Sequence, residues 1–231
     1  MTTLLAFDFD GTLAPICDDP NEARLTLAAA ALLDEATHVR GCAVAILTGR
    51  DIDDILQRAD TSGAYVVASH GLEIRGPGGT SVREMPPLHV TIDQALLGEI
   101  CGSGLRLEWK KHGVALHWRG IPYEAIEPVV EAFRTWTLAN DLALLEGRCV
   151  AEARCRGGGK EEALRWLARA IGARRILYAG DDLTDFGPLQ FASANGRAFF
   201  MESSERAAPK GVRVVSSFRE LFQLIREEVM I

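Results

Sequence analysis

The sequence lacks several features that would assign it to a special class of protein. No apolar run approaches the roughly 20 residues that span a bilayer. Residues 1–10 have neither the basic region nor the cleavage site of a signal peptide. The five cysteines are irregularly spaced and form no CxxC pair, which argues against a disulfide framework and a zinc site. We therefore expect a cytoplasmic protein with reduced thiols and no membrane partner.

Basic residues are scarce relative to acidic ones. The chain has 25 Lys and Arg residues against 32 Asp and Glu residues, for a net charge of −7. Proteins that bind nucleic acid usually carry a basic surface, so we expect no nucleic-acid partner. An anionic substrate is still compatible with this balance, because a binding site needs only local positive charge. The sequence leaves the oligomeric state open, and a monomer is compatible with it.

The composition is that of an ordinary globular protein. Of the 231 residues, 48% are hydrophobic and 25% are charged, which excludes a disordered or collagen-like chain. A chain of this length forms one large domain or a core with one sizeable insert.

Short apolar runs alternate with helical segments in the first and last parts of the chain. This alternation predicts βαβ units and a parallel sheet. We therefore predict an α/β fold with a doubly wound (Rossmann-like) core formed by residues 1–86 and 157–231. The predicted strands are 3–7, 42–47, 65–68, 175–179, 198–201 and 212–215, and the predicted helices are 21–36, 51–58, 160–171 and 218–229.

The middle of the chain follows a different pattern. Two hairpins are predicted, one from 105–109 and 114–118 and the other from 142–145 and 149–153, with a helix over 123–139 between them. This order of elements predicts a small α+β unit over residues 87–156, inserted into the core as a lid, or cap domain.

Polar loops follow four of the predicted strands. Because ligands bind at the carboxyl ends of the strands in an open parallel sheet, we expect these loops to share one edge. A cluster of carboxylates there is costly unless a cation neutralises it, and oxygen ligands favour Mg²⁺. The loops are Asp8-Phe9-Asp10, Thr48-Gly49-Arg50, Ser69-His70-Gly71 and Gly180-Asp181-Asp182, with Asp185 close behind.

Two aspartates in the first loop suit phosphoryl transfer. Asp8, at the end of the first strand, is placed to act as a nucleophile that forms an aspartyl-phosphate. Asp10 is placed to protonate the leaving oxygen and then to activate water. A Thr48 hydroxyl before a helix suits an anion, although it would also suit a helix cap. Lys160 opposes the dipole of its helix, which a bound phosphate would explain better than solvent exposure.

These residues resemble the motifs of the haloacid-dehalogenase-like phosphohydrolases. Asp8-Phe9-Asp10-Gly11-Thr12 is similar to the opening motif, and the other three motifs follow in order at Thr48, Lys160 and Gly180-Asp181-Asp182 with Asp185. The resemblance implies Asp8, Asp10, Thr48 and Lys160 as catalytic groups. It implies Mg²⁺ held by Asp8, Asp10 and Asp181, with Asp182 and Asp185 as acceptors behind them. One of the last three aspartates also suits a helix N-cap.

A narrower likeness is to the trehalose-6-phosphate phosphatases, and it extends through most of the chain. It includes Thr48-Gly49-Arg50, the Ser69-His70-Gly71 loop, a Glu-x-Lys…His-Trp-Arg segment in the insert, and Glu152-Ala153-Arg154. The resemblance implies a sugar phosphate as substrate. The residues it implies as substrate contacts are Arg50, Ser69, His70, Gly71, Glu108, Lys110, His117, Arg119 and Glu152.

Some positions depart from the family pattern, and other readings stay open. Cys155 replaces a proline, Glu161 follows Lys160 where glycine is usual, and Phe186-Gly187-Pro188 replaces an acidic pair. These departures leave open a phosphatase for another sugar or glycosyl phosphate, a phosphomutase-like transferase, and a non-catalytic sugar-phosphate sensor. A lone loop histidine such as His70 is often structural, and alternating polar residues on a hairpin are often an exposed face.

Overall fold

A computed structural model describes residues 2–17, 19–147, 149–202 and 206–229. The chain divides into two compact units, a core unit from Met1–Glu84 with Gly158–Ile231 and an inserted unit from Met85–Gly157. None of the helices in these described ranges is long and apolar enough to cross a membrane.

Strands and helices are named here in chain order. The described strands are β1 (Thr2–Asp8), β2 (Cys42–Leu47), β3 (Tyr65–Ala68), β4 (Glu73–Arg75), β5 (Ser81–Glu84), β6 (Arg106–Lys110), β7 (Gly113–His117), β8 (Ala143–Gly147), β9 (Val150–Arg154), β10 (Ala173–Gly180), β11 (Gly196–Met201) and β12 (Arg213–Val215). The described helices are α1 (Leu27–Thr37), α2 (Ile52–Leu56), α3 (Gln94–Gly102), α4 (Tyr123–Ala139), α5 (Lys160–Ala170), α6 (Phe186–Asn195) and α7 (Phe218–Val229).

The core unit contains an eight-stranded sheet in the order β12-β11-β10-β1-β2-β3-β4-β5. The strands from β12 to β3 are parallel, and β4 and β5 extend the sheet antiparallel. Chain order runs outward from β1 to one side and from β10 to the other, so the fold switches direction between these two strands. The predicted doubly wound α/β fold is therefore confirmed.

Both faces of this sheet are buried. On β1, Leu5 and Phe7 belong to the cluster that includes α1 and α7, whereas Leu4 and Ala6 belong to the cluster that includes α5 and α6. This is why the central strands are continuously apolar rather than alternating.

The inserted unit is a four-stranded antiparallel sheet in the order β6-β7-β9-β8, with α3 and α4. Alternate residues of β7 and β9, such as Val114 and Ala151, pack with Phe133 of α4. The other face of the sheet carries the intervening residues, which include most of the charged side chains of these strands. Both predicted hairpins and the predicted α+β class of this unit are confirmed.

The first helix begins later than predicted. Residues 21–26 precede α1, and its N-cap is Thr26, whose Oγ1 accepts a hydrogen bond of 3.1 Å from the backbone N–H of Ala29. The carbonyl groups of Asn21 and Ala23 instead accept hydrogen bonds from the buried side chain of Arg58, at 2.8 and 3.2 Å. A contact that is distant in sequence therefore holds this segment outside the helix.

Candidate active site

The parallel register brings three of the predicted loops to one sheet edge. Asp8 is the last residue of β1 and pairs with Leu47, which directly precedes Thr48. Phe7 pairs with Ala179 of β10, so that Gly180 and Asp181 lie beside the end of β1. The strand order thus places the polar loops together.

Lys160 connects two carboxylates at this edge. Its Nζ donates hydrogen bonds of 2.6 Å to Asp8 Oδ1 and 2.8 Å to Asp185 Oδ1, and all three side chains are at most 7% exposed. Burial alone would lower the pKa of Lys160, but Asp185 and Asp8 outweigh this effect and raise it. Two buried anions therefore account for a lysine at a helix start that opposes the helix dipole.

Negative charge exceeds positive charge around Lys160. Ligand oxygens of Asp8, Asp181 and Asp185 all lie within 4.8 Å of one another. Burial, followed by the charge of Asp185, raises the pKa of Asp8 well above its ordinary value. Burial is also the main cause that raises the pKa of Asp181 to about 6. A further cation would stabilise the charged form of this cluster.

Asp181 has an oxygen that fits a metal ligand. Its Oδ1 is buried and has no hydrogen-bond partner among the residues that the structure describes. The carboxylate lies against Gly11, where a Cβ atom would be only 2.1 Å from Asp181 Oδ2. Gly11 has a φ of 83°, a conformation that glycine adopts most readily. A hard divalent cation would satisfy the unpaired oxygen, so the residues present fit such an ion.

Asp185 is already saturated with donors. Its Oδ1 accepts hydrogen bonds from Lys160 and, at 2.7 Å, from the hydroxyl group of Tyr178. Its Oδ2 accepts from the backbone N–H groups of Asp181 and Asp182 at 3.2 and 3.1 Å. Four donors occupy the two oxygens, and the role of Asp185 as an acceptor behind the metal ligands stays a prediction. The side chain of Asp182 is 54% exposed and pairs with Arg206 instead.

Asp10 differs from the predicted metal-ligand set. Both of its carboxylate oxygens accept hydrogen bonds from Arg50, at 2.7 Å from Nε and 2.6 Å from Nη2, and its carboxylate lies outside the three-carboxylate cluster. Arg50 also donates to Asp54 at 2.8 Å. The guanidinium predicted to contact substrate is therefore engaged by two carboxylates, and the metal role of Asp10 and the substrate role of Arg50 stay predictions.

Thr48 directly follows β2. It is 1% exposed, and its Oγ1 accepts a hydrogen bond of 3.1 Å from the backbone N–H of Arg50. The N-cap of α2 is Asp51, so Thr48 does not cap that helix. The hydroxyl group keeps its own proton available as a donor.

The Ser69-His70-Gly71 turn is bonded to the turn that carries Thr48. The backbone N–H groups of Ser69 and His70 donate to the carbonyl oxygens of Arg50 and Thr48 at 2.8 and 2.9 Å. Ser69 and His70 both have positive φ values, 48° and 53°, which are uncommon outside glycine. This backbone presses the imidazole of His70 so closely against Gly49 that a Cβ there would be 2.4 Å from Nε2.

Gly71 has a packing role. A Cβ atom at this position would be 2.8 Å from the Cβ of Ala163 and 2.9 Å from the carbonyl oxygen of Gly159. The turn therefore packs against the start of α5, the helix that begins with Lys160. The substrate roles of Ser69, His70 and Gly71 stay predictions.

The predicted sugar contacts of the inserted unit share one sheet face, with one exception. The strand register places Glu108, Ala115 and Glu152 in one row across β6, β7 and β9. Lys110 Nζ donates a hydrogen bond of 2.6 Å to Glu152 across the small residues of the middle strand, β7. The exception is Arg119, which is exposed in the turn after β7.

Glu108 also accepts a hydrogen bond of 2.8 Å from His117 Nε2. That bond, helped by the charge of Lys110, holds the pKa of Glu108 below its usual value, although partial burial acts in the other direction. We call this set of side chains, Glu108, Lys110, His117 and Glu152, the polar face.

Sequence reasoning did not find three parts of this arrangement. The sequence pattern gives Tyr178 only a place in the predicted strand 175–179. Asp54, which joins Arg50 to Arg58, lies in the predicted helix 51–58 and has no predicted role. Arg154 was not counted as a substrate contact, although it lies opposite Gly113 on the side of the sheet that carries the polar face. No local pattern distinguishes these residues, because their partners come from other elements.

The fold is that of the haloacid-dehalogenase-like hydrolases. A solved hydrolase of this class from Bacteroides thetaiotaomicron superposes with a TM-score of 0.73, over 98% of this chain and 99% of that chain, at 15% identity. Residues 6–198 match the family model described as trehalose-phosphatase, and the chain belongs to that family.

Curated relatives agree with this assignment. The chain is 33% identical to a trehalose-phosphate phosphatase of Mycobacterium marinum over 213 residues, 86% of this chain and 54% of that protein. It is 35% identical to that of Mycobacterium leprae over 198 residues, 78% and 45% of the two chains. The chain thus spans about half the length of the curated relatives it matches.

Among solved structures, the C-terminal domain of the C. albicans trehalose-6-phosphate phosphatase has the same fold. It superposes with a TM-score of 0.74 at 19% identity, over 99% of this chain and 93% of that chain.

Proposed function

We propose that this protein is a Mg²⁺-dependent phosphatase that hydrolyses a sugar phosphate through an aspartyl-phosphate intermediate, with trehalose 6-phosphate as its substrate. The observation that carries the proposal is the position of Lys160, shared between Asp8 and Asp185 beside the unpaired oxygen of Asp181. Membership of the trehalose-phosphatase family supports the choice of substrate.

In the first step, a carboxylate oxygen of Asp8 attacks phosphorus, and the bond from phosphorus to the sugar oxygen breaks. Asp10 donates a proton to that leaving oxygen. The ammonium group of Lys160 and the hydroxyl group of Thr48 donate hydrogen bonds to the phosphoryl oxygens as charge develops on them. Arg50, bonded to both oxygens of Asp10, orients that carboxyl group.

In the second step, Asp10 accepts a proton from water, and the water oxygen attacks the phosphorus of the aspartyl-phosphate. The bond from phosphorus to Asp8 breaks, which releases inorganic phosphate and restores the carboxylate. Asp8 and Asp181, with Asp10 as a further predicted ligand, would hold Mg²⁺, which would supply positive charge to the phosphoryl oxygens.

The polar face of the inserted unit supports a sugar as the group attached to the phosphate. Its side chains offer carboxylate acceptors and cationic donors, which can bond several hydroxyl groups at once. We propose that this face recognises the sugar.

Two of the three departures from the family pattern have a packing explanation. The carboxylate of Glu161 lies so close to Gly187 that a Cβ there would be 2.3 Å from Glu161 Oε2, and Glu161 pairs with Arg165 at 2.7 Å. Phe186 packs edge-on against Phe200 at 6.0 Å between ring centres. Glu161 and Gly187 therefore suit one another at the contact between α5 and α6, and Phe186 packs against β11, so neither departure requires a different sugar.

Phosphate release from a panel of sugar phosphates, with and without Mg²⁺, tests the proposal. We expect the highest kcat/KM for trehalose 6-phosphate, only with Mg²⁺. A higher kcat/KM for another sugar phosphate would identify that compound as the substrate and leave the proposed chemistry unchanged. Transfer of the phosphoryl group to a sugar, with no free phosphate, would identify a transferase. Binding without turnover would identify a sensor.

A further inference from the structure

We propose that Tyr178 is a positioning residue for phosphoryl transfer: its hydroxyl group binds Asp185 so that Lys160 stays shared between Asp185 and Asp8. The inference rests on the proposed function, because it concerns the nucleophile of that reaction. It adds a buried residue of β10 that acts through Asp185.

The first observation is the setting of Tyr178. The residue lies on β10, is fully buried, and belongs to the apolar cluster that includes Ala6, Leu164 and Leu167. Phenylalanine would fill such a position without carrying a polar atom into the interior. A buried hydroxyl is costly unless it is bonded, and this one donates to Asp185 Oδ1 at 2.7 Å.

The second observation is the distribution of donors around Asp185. Its Oδ1 has two side-chain donors, Lys160 at 2.8 Å and Tyr178 at 2.7 Å. The side chain of Asp185 is 0% exposed, so within the site these donors take the place of water. Without the hydroxyl group, Lys160 would be the one remaining side-chain donor on that oxygen among the residues that the structure describes.

Lys160 would then be drawn towards Asp185. Its 2.6 Å hydrogen bond to Asp8 would lengthen, since one ammonium group serves both carboxylates. Asp8 would lose restraint at the oxygen that Lys160 holds, and the phosphoryl group would lose a well-placed donor. The affinity for substrate would change little, because the proposed sugar contacts lie on the polar face.

The test compares Tyr178→Phe with Tyr65→Phe in the full chain. Tyr65 is half-buried on β3 of the same sheet, so the control makes the same chemical change outside the donor set of Asp185. We expect Tyr178→Phe to lower kcat for sugar-phosphate hydrolysis about tenfold at saturating Mg²⁺, with KM within about twofold of wild type. Tyr65→Phe should keep both constants.

A double-mutant cycle with Asp185→Asn shows whether Tyr178 acts through Asp185. In the Asp185→Asn background, the added Tyr178→Phe change should lower kcat less than twofold, because the charged acceptor is already gone. The double variant replaces both partners of the bond between Tyr178 and Asp185, so no buried hydrogen-bonding group loses its partner by a single change. The inference therefore stays testable if Tyr178→Phe alone is unstable.

Several results would overturn the inference. One is an unchanged kcat in Tyr178→Phe when the wild type is active, a result that would leave the proposed function intact. Another is an effect of Tyr178→Phe on KM alone. A third is a loss of kcat of the same size in Tyr65→Phe, or the same loss when Tyr178→Phe is added to Asp185→Asn. A wild type that releases no phosphate from any sugar phosphate would refute the proposed function and the inference together.

Discussion

The ammonium group of Lys160 donates a hydrogen bond of 2.6 Å to Asp8, although the two residues lie 152 positions apart in the chain. One residue ends the first strand and the other begins a helix after the inserted unit. The candidate active site therefore forms only when the two parts of the chain that make up the core unit pack together.

Asp8→Asn should abolish phosphate release, with a loss of several orders of magnitude, because the amide cannot act as the nucleophile. The fold should be retained, and thermal unfolding in metal-free buffer should occur no lower than in wild type, since the change removes one of the three clustered carboxylates. Asp34→Asn, at a side chain that is 78% exposed, is the matched control. Appreciable turnover by folded Asp8→Asn protein would contradict the assignment.

Metal removal should abolish activity, and Mg²⁺ should raise the unfolding temperature of the wild type. A ligand at 100 times its dissociation constant stabilises a protein by about 2.7 kcal/mol. Asp181→Asn should lose most of this stabilisation, because Asp181 supplies the unpaired oxygen. Calorimetry with and without Mg²⁺ measures it. Full activity after exhaustive chelation would refute the metal site.

Gly11→Ala should weaken Mg²⁺ binding and lower activity at least tenfold, because the new Cβ would overlap the carboxylate of Asp181. Gly211→Ala is the control, since Gly211 has the same φ of 83° but no atom within 4 Å of an added Cβ. Both variants should lose about 1–2 kcal/mol of stability from backbone strain. If titrations show equal Mg²⁺ affinity in the two variants, the close contact between Gly11 and Asp181 has no role in metal binding.

Glu108→Ala should lower kcat/KM for the preferred sugar phosphate by roughly ten- to a hundredfold, because it leaves sugar and protein groups unpaired. Hydrolysis of a small aryl phosphate should hardly change. Glu146→Ala is the control, since Glu146 lies on β8 of the same sheet but pairs with Arg134 of α4. Equal losses on both substrates would show that Glu108 supports the chemistry or the fold rather than sugar recognition.

Asp54→Asn should reduce stability at neutral pH, but not in acid. Burial would raise the pKa of Asp54, yet hydrogen bonds from Arg58 and Arg50 lower it below its ordinary value of 3.8. The stabilisation is therefore complete above about pH 4 and is lost as the pH falls through the folded-state pKa. We expect a difference of order 1 kcal/mol, since the carboxylate is about a third exposed and partly screened.

Urea unfolding of wild type, Asp54→Asn and the exposed control Asp53→Asn between pH 3 and pH 7 measures this difference. A destabilisation of Asp54→Asn that persists unchanged at pH 3 would show that its cause is packing rather than charge.

Much of the fold was predictable because periodicity is local. The predicted helices over 123–139 and 218–229 have the same bounds as α4 and α7. The alternation of strands and helices predicted the doubly wound core, and β4 and β5 were missed because both are short and flank a Gly- and Pro-rich turn. Helix α6 was missed because Gly187 and Pro188 near its start read as a break.

The sequence by itself determined which strands end in aspartate, threonine or glycine, and thereby which residues meet at the edge of the sheet. Only the tertiary structure decided their partners: Asp10 with Arg50, Asp185 with Tyr178, and Asn21 with Arg58. The physical reason is that secondary structure follows from neighbours a few residues away. A buried polar atom instead needs whichever donor or acceptor the packed fold brings to it.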